Sequence, residues 1–233
     1  MSDITRKIRS AGYWEVAIHP TTFRERRIND IAALLPLLEG CVVSVRGWDF
    51  PHIDRQQQVI THIDYIQQES DWDQFTERWR FYQSGQFTIL RAMHSDWRDQ
   101  SAWHRPDPGW RRGGQLGIGE ALYTLFEIFE LAARLSNTAA GDDRMRVAIT
   151  AGGLEGRMLI VDDPLRAGIP RADYVAGIPA FPMEFVKPRT DLLADPAGLA
   201  VEAGRELFAR FNRNIPTERL SEWLGTLRRG GRQ

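Results

Sequence analysis

Cysteine is all but missing from this 233-residue chain. Cys41 stands alone, which excludes an internal disulfide and any zinc site built on thiolates. It heads the apolar run Val42, Val43, Val45, where a reduced thiol buried in the core is expected. Lysine is nearly missing as well: Lys7 and Lys187 are the two lysines among 30 basic residues, a skew that follows from GC-rich codon usage more often than from guanidinium chemistry. No apolar run is long enough to span a bilayer, because Glu120, Glu127, Glu130 and Arg134 interrupt residues 116–135, the most apolar stretch. With no basic-then-apolar leader, a cytoplasmic protein with no membrane partner is expected. An excess of charge is lacking too. Thirty basic against 31 acidic residues leave a formal net charge of -1, so the molecule as a whole has no field to draw it onto nucleic acid or an anionic membrane.

What is present is an ordinary globular composition, 42% hydrophobic and 26% charged, too apolar for wholesale disorder and long enough to bury one large core. The expected organisation is a single mixed α/β domain over residues 1–229, with α+β as the variant, followed by a flexible tail over 230–233. Its architecture is one mixed sheet flanked by helices, with two helices at the C-terminal end.

Trp14, Val16 and Ile18 alternate with polar or small residues, predicting a strand stopped by Pro20. Ile28, Ile31, Leu34, Leu35 and Leu38 predict a helix that Pro36 shortens; Val42, Val43 and Val45 then predict a strand ending before Pro51, a β-α-β opening. The glutamine-rich residues 54–70 predict a loop or irregular exposed helix. Asp71 or Asp73 as cap, with Phe75, Trp79 and Tyr82, predicts another helix, and Ser84-Gly85 turns it into a strand over 87–93. Residues 95–115, with Trp97, Trp103 and Trp110, predict a long surface loop. Leu122, Leu125, Phe126, Phe129 and Ala133 mark the longest helix. Met145, Val147 and Ile149 predict a strand joined to 157–161 as an antiparallel hairpin, and short strands are expected around Tyr174 and over 183–186. Asp195-Pro196 opens a helix burying Leu199, Ala203, Leu207 and Phe211, and Leu220, Trp223, Leu224 and Leu227 define a last one.

Three constellations could carry chemistry. Arg46, Trp48, Asp49, His52 and Asp54 set carboxylates and an imidazole within a few residues of a strand exit, where they could contact a ligand or a divalent cation. Their spacing fits no metal signature, and the interleaved Trp48, Phe50 and Pro51 equally describe a corner pinned by packing. Trp79, Arg80 and Tyr82 alternate rings with a cation, which could stack a base and meet its phosphate, or could be a helix end packed on the sheet. Residues 113–120, rich in glycine behind Arg111 and Arg112, could cradle an anion at a helix start, but lack both the dinucleotide fingerprint and the P-loop lysine, leaving a hinge as the other reading. No metal centre and no cofactor is expected. Glu127 and Glu130 have no Glu-x-x-His partner, no nucleophile elbow is present, and His19, His62, His94 and His104 are scattered.

The segments Arg46-Gly47-Trp48-Asp49-Phe50-Pro51-His52-Ile53-Asp54 and 79–87 resemble a bacterial family of uncharacterised proteins. In that family such segments occur alone or beside DNA-binding modules of the AlbA/Schlafen-like kind, sometimes near phage-defence genes. The likeness covers roughly residues 12–97. It implies a regulatory or defence-associated role and carries over no catalytic residue. These 233 residues hold no such fused module, which argues against direct DNA contact.

The leading expectation is therefore a non-enzymatic sensing or adaptor protein that binds a small ligand or a partner protein through the 46–54 corner and the 97–115 loop. One alternative is a metal-dependent hydrolase or nuclease using Asp49, His52 and Asp54, with Glu69 as a distant ligand. Another is a nucleic-acid-binding subunit using residues 205–233, where seven arginines face three glutamates. Oligomeric state stays open.

Overall fold

Alternation of large apolar with polar residues builds the sheet around which the chain is organised. The computed structural model describes residues 2–101, 109–162 and 174–230. Strand β1 (Tyr13–Pro20) buries Trp14, Val16 and Ile18, as their period of two requires. It belongs to a seven-stranded antiparallel sheet whose order is β2 (Ile60–Thr61), β3 (Tyr65–Trp72), β4 (Phe75–Tyr82), β5 (Phe87–Ala92), β1, β7 (Arg144–Gly152), β9 (Ala180–Pro188). A separate parallel pair joins β6 (Gln115–Gly117) to β8 (Met158–Ile160). The fold is α/β, and both strand directions occur, divided between the two sheets.

One face of the large sheet carries the helices. Helix α3 (Ile118–Ser136) lies against β1 and β7, and α4 (Arg189–Ala194), α5 (Pro196–Ala209) and α6 (Thr217–Gly230) pack on it, α5 and α6 being the two expected C-terminal helices. Asp195 caps α5 by accepting the Gly198 N–H at 2.8 Å, with Pro196 in the first turn. The short α2 (Leu34–Glu39) packs over β3 and β4. On the opposite face α1 (Asp3–Arg9) covers part of β4 and β5, burying Ile8 against Leu90, Ala92 and Trp97. The rest of that face is uncovered by any helix among the described residues.

Four expectations are corrected. Residues 42–45 form no strand: Val43 bridges Phe50 alone, and Gly47, at φ 81°, folds the chain back before a strand can grow. The opening is thus not β-α-β. Residues 54–70 are not a loop or helix throughout, since they include β2 and most of β3. Residues 75–82 are strand, not helix. Trp79 and Phe81 enter the core while Arg78, Arg80 and Tyr82 lie on the other face; buried Gln68, Ser70 and Glu77 on the core side masked the alternation. Finally, residues 157–161 make no hairpin with β7, because β9 occupies that edge and β8 pairs with β6 instead. Of the expected tail over 230–233, Gly230 is the last residue of α6, and residues 231–233 lie outside the described residues. So do 102–108, with Trp103 and His104 of the expected loop. Within its described part, 94–100 is 3-10 helix kinked at Trp97 with Ser95, Asp96 and Trp97 buried, and the Trp110 indole N–H donates to the Ser95 carbonyl at 2.8 Å before β6 begins at Gln115.

Candidate functional site

The 46–54 corner lies over the core end of β4 and β5, where its polar groups meet a chain of buried charges. Arg46 donates through Nε to Glu127 Oε1 at 2.8 Å and through Nη2 to Glu127 Oε2 at 2.7 Å and Thr124 Oγ1 at 2.9 Å. Its side chain is 15% exposed and Glu127 is fully buried. Arg91 donates to Glu127 Oε2 at 3.2 Å and lies 3.4 Å from Glu77. Glu77 in turn accepts the His52 N–H at 2.7 Å and the Trp48 indole N–H at 3.3 Å. Trp48, itself buried, stacks between His52 at 3.7 Å and Phe75 at 4.4 Å, and the His52 carbonyl accepts the Trp79 indole N–H at 2.8 Å.

Burial raises the Glu77 and Glu120 carboxyls above the ordinary range, more than the opposing pull of Arg91 on the first and Arg46 on the second. Burial, then the charges of Arg91 and Arg46, hold the His94 imidazole well below its own ordinary value. Burial also pushes the Cys41 thiol up to about 11, in keeping with a core thiol. Sequence reading missed Glu77, Arg91 and Glu127 as partners of the corner, because they come from β4, β5 and α3.

Asp49 and Asp54 do not join this network. Asp49 accepts the Ser44 hydroxyl at 2.5 Å, and Asp54 accepts the Gln56 N–H and the Gln57 amide, each at 2.8 Å. Among the described residues no group of three His, Cys, Asp or Glu side chains could hold a metal ion. The Asp49, His52 and Asp54 trio of the hydrolase reading, with Glu69, does not converge. The corner's side chains are engaged in fixing a bend.

The glycine-rich stretch is likewise filled by the chain's own carboxylates. Asp162 accepts the Gly119 and Glu120 N–H groups at 2.7 and 2.9 Å, taking the place at the start of α3 where an anion would sit. A Cβ at Gly117 would come within 2.1 Å of that carboxylate, which is why glycine stands there. Asp96, fully buried, chelates the Arg157 guanidinium at 2.6 and 2.7 Å and accepts the Gly12 and Gly113 N–H groups. Arg112 contacts Asp99 at 2.8 Å and lies over the Trp97 ring at 4.1 Å; Arg111 is exposed.

Arg80 and Tyr82 reach a different place, the uncovered sheet face. Register sets them in rows across the strands. Arg80 is opposite Thr88, Thr88 opposite Ala17, and Ala17 opposite Ala148; in the next row Arg78 is opposite Leu90, Leu90 opposite Glu15, and Glu15 opposite Thr150. Small side chains in the middle and long ones at the rim make a dish of about 410 Å³. Glu15 is chelated by Arg9 at 2.9 Å. Arg78 donates to Thr5 Oγ1 at 2.7 Å and Arg80 Nε to Gln67 Oε1 at 2.7 Å, but neither is ion-paired among the described residues. Burial, then the neighbouring Arg80 charge, lowers the Arg78 pKa against the pull of Glu69, which lies opposite it in register on β3 and accepts the Ser2 hydroxyl at 2.9 Å. Tyr65 lies 4.9 Å from Tyr82 and under the Arg80 guanidinium at 5.2 Å, extending an aromatic rim.

A second cavity, about 490 Å³, lies between the end of α5 and the start of α6, lined in part by Arg205, Glu206, Arg210 and Asn214. The arginines of this end do not form a continuous stripe. Arg210 lies over Phe181, Arg213 over Tyr174 and Arg228 over Phe126. No helix among the described residues is long and apolar enough to cross a membrane. Compared with known proteins, the chain matches no family model, no curated protein and no solved structure.

Proposed function

We propose that the chain is a non-enzymatic sensing domain that takes a small anionic ligand in the dish on the open face of its sheet. The observation that carries this reading is the pair Arg78 and Arg80, two half-buried guanidiniums side by side on β4 with no carboxylate ion-paired to either among the described residues. Like charges held together at a partly desolvated place repel each other, and a bound anion relieves that repulsion. The dish volume, about 410 Å³, falls in the range of small-molecule sites. Of the residues singled out in the sequence, Arg80 and Tyr82 belong to this site, whereas Arg46, Trp48 and His52 support the sheet beneath the opposite face.

The test follows the arginine Nε–H signals of ¹⁵N-labelled protein by NMR during titration with acetate, benzoate, phenyl sulfonate and phenyl phosphate. Arg78 and Arg80 are expected to respond first and together, and Ala148→Trp, which fills the dish, should abolish the response. If Arg205 and Arg210 respond instead, or if Ala148→Trp leaves the shifts intact, the site lies elsewhere.

A further inference from the structure

We infer that the ligand of this dish is a phosphate monoester of nucleoside size, its phosphate seated between Arg78 and Arg80 and its ring laid against Tyr82. The inference rests on the reading of the open face as the ligand site and adds the chemical class.

Three features select that class. Arg78 and Arg80 are alternate residues of one strand, so their side chains leave the same face about 7 Å apart, a separation two guanidiniums bridge by gripping one tetrahedral oxyanion from both sides. Glu69, opposite Arg78 in register, offsets part of its charge, so it is the donors that select the ligand: two guanidinium forks offer more N–H groups than the two oxygens of a carboxylate can accept, whereas the three oxygens of a phosphate monoester can be held from both sides. Tyr82 continues the same face one further step along β4, backed by Tyr65 at 4.9 Å. A planar ring joined to the phosphate through a sugar reaches that far, and its π-face finds an aromatic platform.

Across the dish Glu15 and Thr150 are opposite each other in register. A carboxylate held in place by Arg9 repels a second anionic group there but accepts hydroxyl donors. The ligand is thereby asymmetric, anionic at the β4 side and hydroxylated towards β1 and β7. A single nucleotide fits this arrangement better than a polynucleotide strand, because Arg78 and Arg80 are, among the described residues, the only cations lining the dish and leave none for a next phosphate.

Isothermal titration of the whole chain with adenosine 5′-monophosphate, uridine 5′-monophosphate, adenosine, inorganic phosphate, benzoate and a twelve-residue oligoadenylate tests the class. At least one of the two monophosphates should bind. The matching inorganic phosphate should be weaker by roughly tenfold or more, and adenosine weaker than its monophosphate by at least as much. Arg78→Ala and Arg80→Ala should each cost roughly tenfold or more at unchanged melting temperature, and Tyr82→Ala should narrow the gap between the monophosphate and inorganic phosphate. Adenosine binding as tightly as its monophosphate, or full affinity in Arg80→Ala, overturns the inference. Benzoate binding more tightly than both monophosphates, and lost in Ala148→Trp, also overturns it while leaving the open-face reading intact. Oligoadenylate binding far more tightly, with a steep loss on adding salt, overturns it in favour of a nucleic-acid strand. If no compound binds in a way that Ala148→Trp abolishes, both readings fall.

Discussion

His94 shows how far a single residue's environment has departed from water. Its ring is edge-on to Phe75 at 4.5 Å, and Nε2 lies 3.1 Å from Arg91 Nε, which donates to it. Burial and the two arginine charges keep the folded imidazole neutral well below its ordinary pKa. In the unfolded chain the same ring takes up a proton as pH falls through about 6.5. The unfolded state then binds more protons than the folded one, so stability falls by about 1.4 kcal/mol for each pH unit below that point and is fully present above it. Glu77 and Glu120, raised by burial, act with the opposite sign. Folded, they hold protons that the unfolded chain has already released, so their contribution declines as pH rises from the ordinary glutamate value through the raised ones. His94→Gln keeps an acceptor for Arg91 and removes the histidine part alone. The expected result in melts between pH 7.5 and 5.5 is that wild type loses stability relative to His94→Gln as the pH drops; a constant difference would show that the ring titrates normally. Asp96→Ala leaves the fully buried Arg157 without its carboxylate, and urea denaturation should register a loss of about 3–5 kcal/mol.

At the scale of elements, what could be read in the sequence followed from how uniform each buried face is. β1, β7, α5 and α6 were legible because their core-facing positions are almost wholly apolar, and β5 and α3 because apolar residues before Arg91 and on either side of Glu127 keep the period visible. β3 and β4 were not, since Gln68, Ser70 and Glu77 occupy core-facing positions and serve the corner, with Gln68 bonding to the backbone of Asp54 and Glu77 to His52. The valines at 42–45 misled for the complementary reason. Their β propensity is real, but the turn at Gly47 folds the chain back so that Val43 pairs with Phe50 alone and no ladder grows from it. Helix α3 carries a similar lesson about distance. Its N-cap position is Gly117, which offers no side chain, and the cap comes from Asp162, far along the chain. Asp162→Ala should therefore destabilise the protein by about 1 kcal/mol in chemical denaturation, as a local cap would; no loss would mean that water satisfies those N–H groups equally well.

Taken whole, the large sheet has one side packed by helices and another that, among the described residues, α1 covers only in part, and the candidate site was half visible for that reason. Arg80 and Tyr82 stood out as a cation among rings. Arg78 did not, because a helix over 75–82 would part it from Arg80, whereas the strand puts both on one face; Glu15, Thr88 and Thr150 did not, because the order β4-β5-β1-β7 that brings them together is a long-range pairing that no local pattern announces. The open face is stiff only insofar as the opposite face is anchored. One core cluster runs from Trp14 on β1 through Phe129 on α3 to Phe185 on β9 and on to Leu224 on α6, and Phe129 meets Phe185 edge to face at 5.1 Å. Because that contact joins helix layer to sheet, Phe129→Ala should cost about 3–5 kcal/mol. It should also move the far-ultraviolet circular dichroism and tryptophan fluorescence transitions together, as one cooperative unit requires. Fluorescence responding later than the helical signal would show that the helices melt off a sheet that stands without them, and the dish would then owe its shape to strand pairing alone.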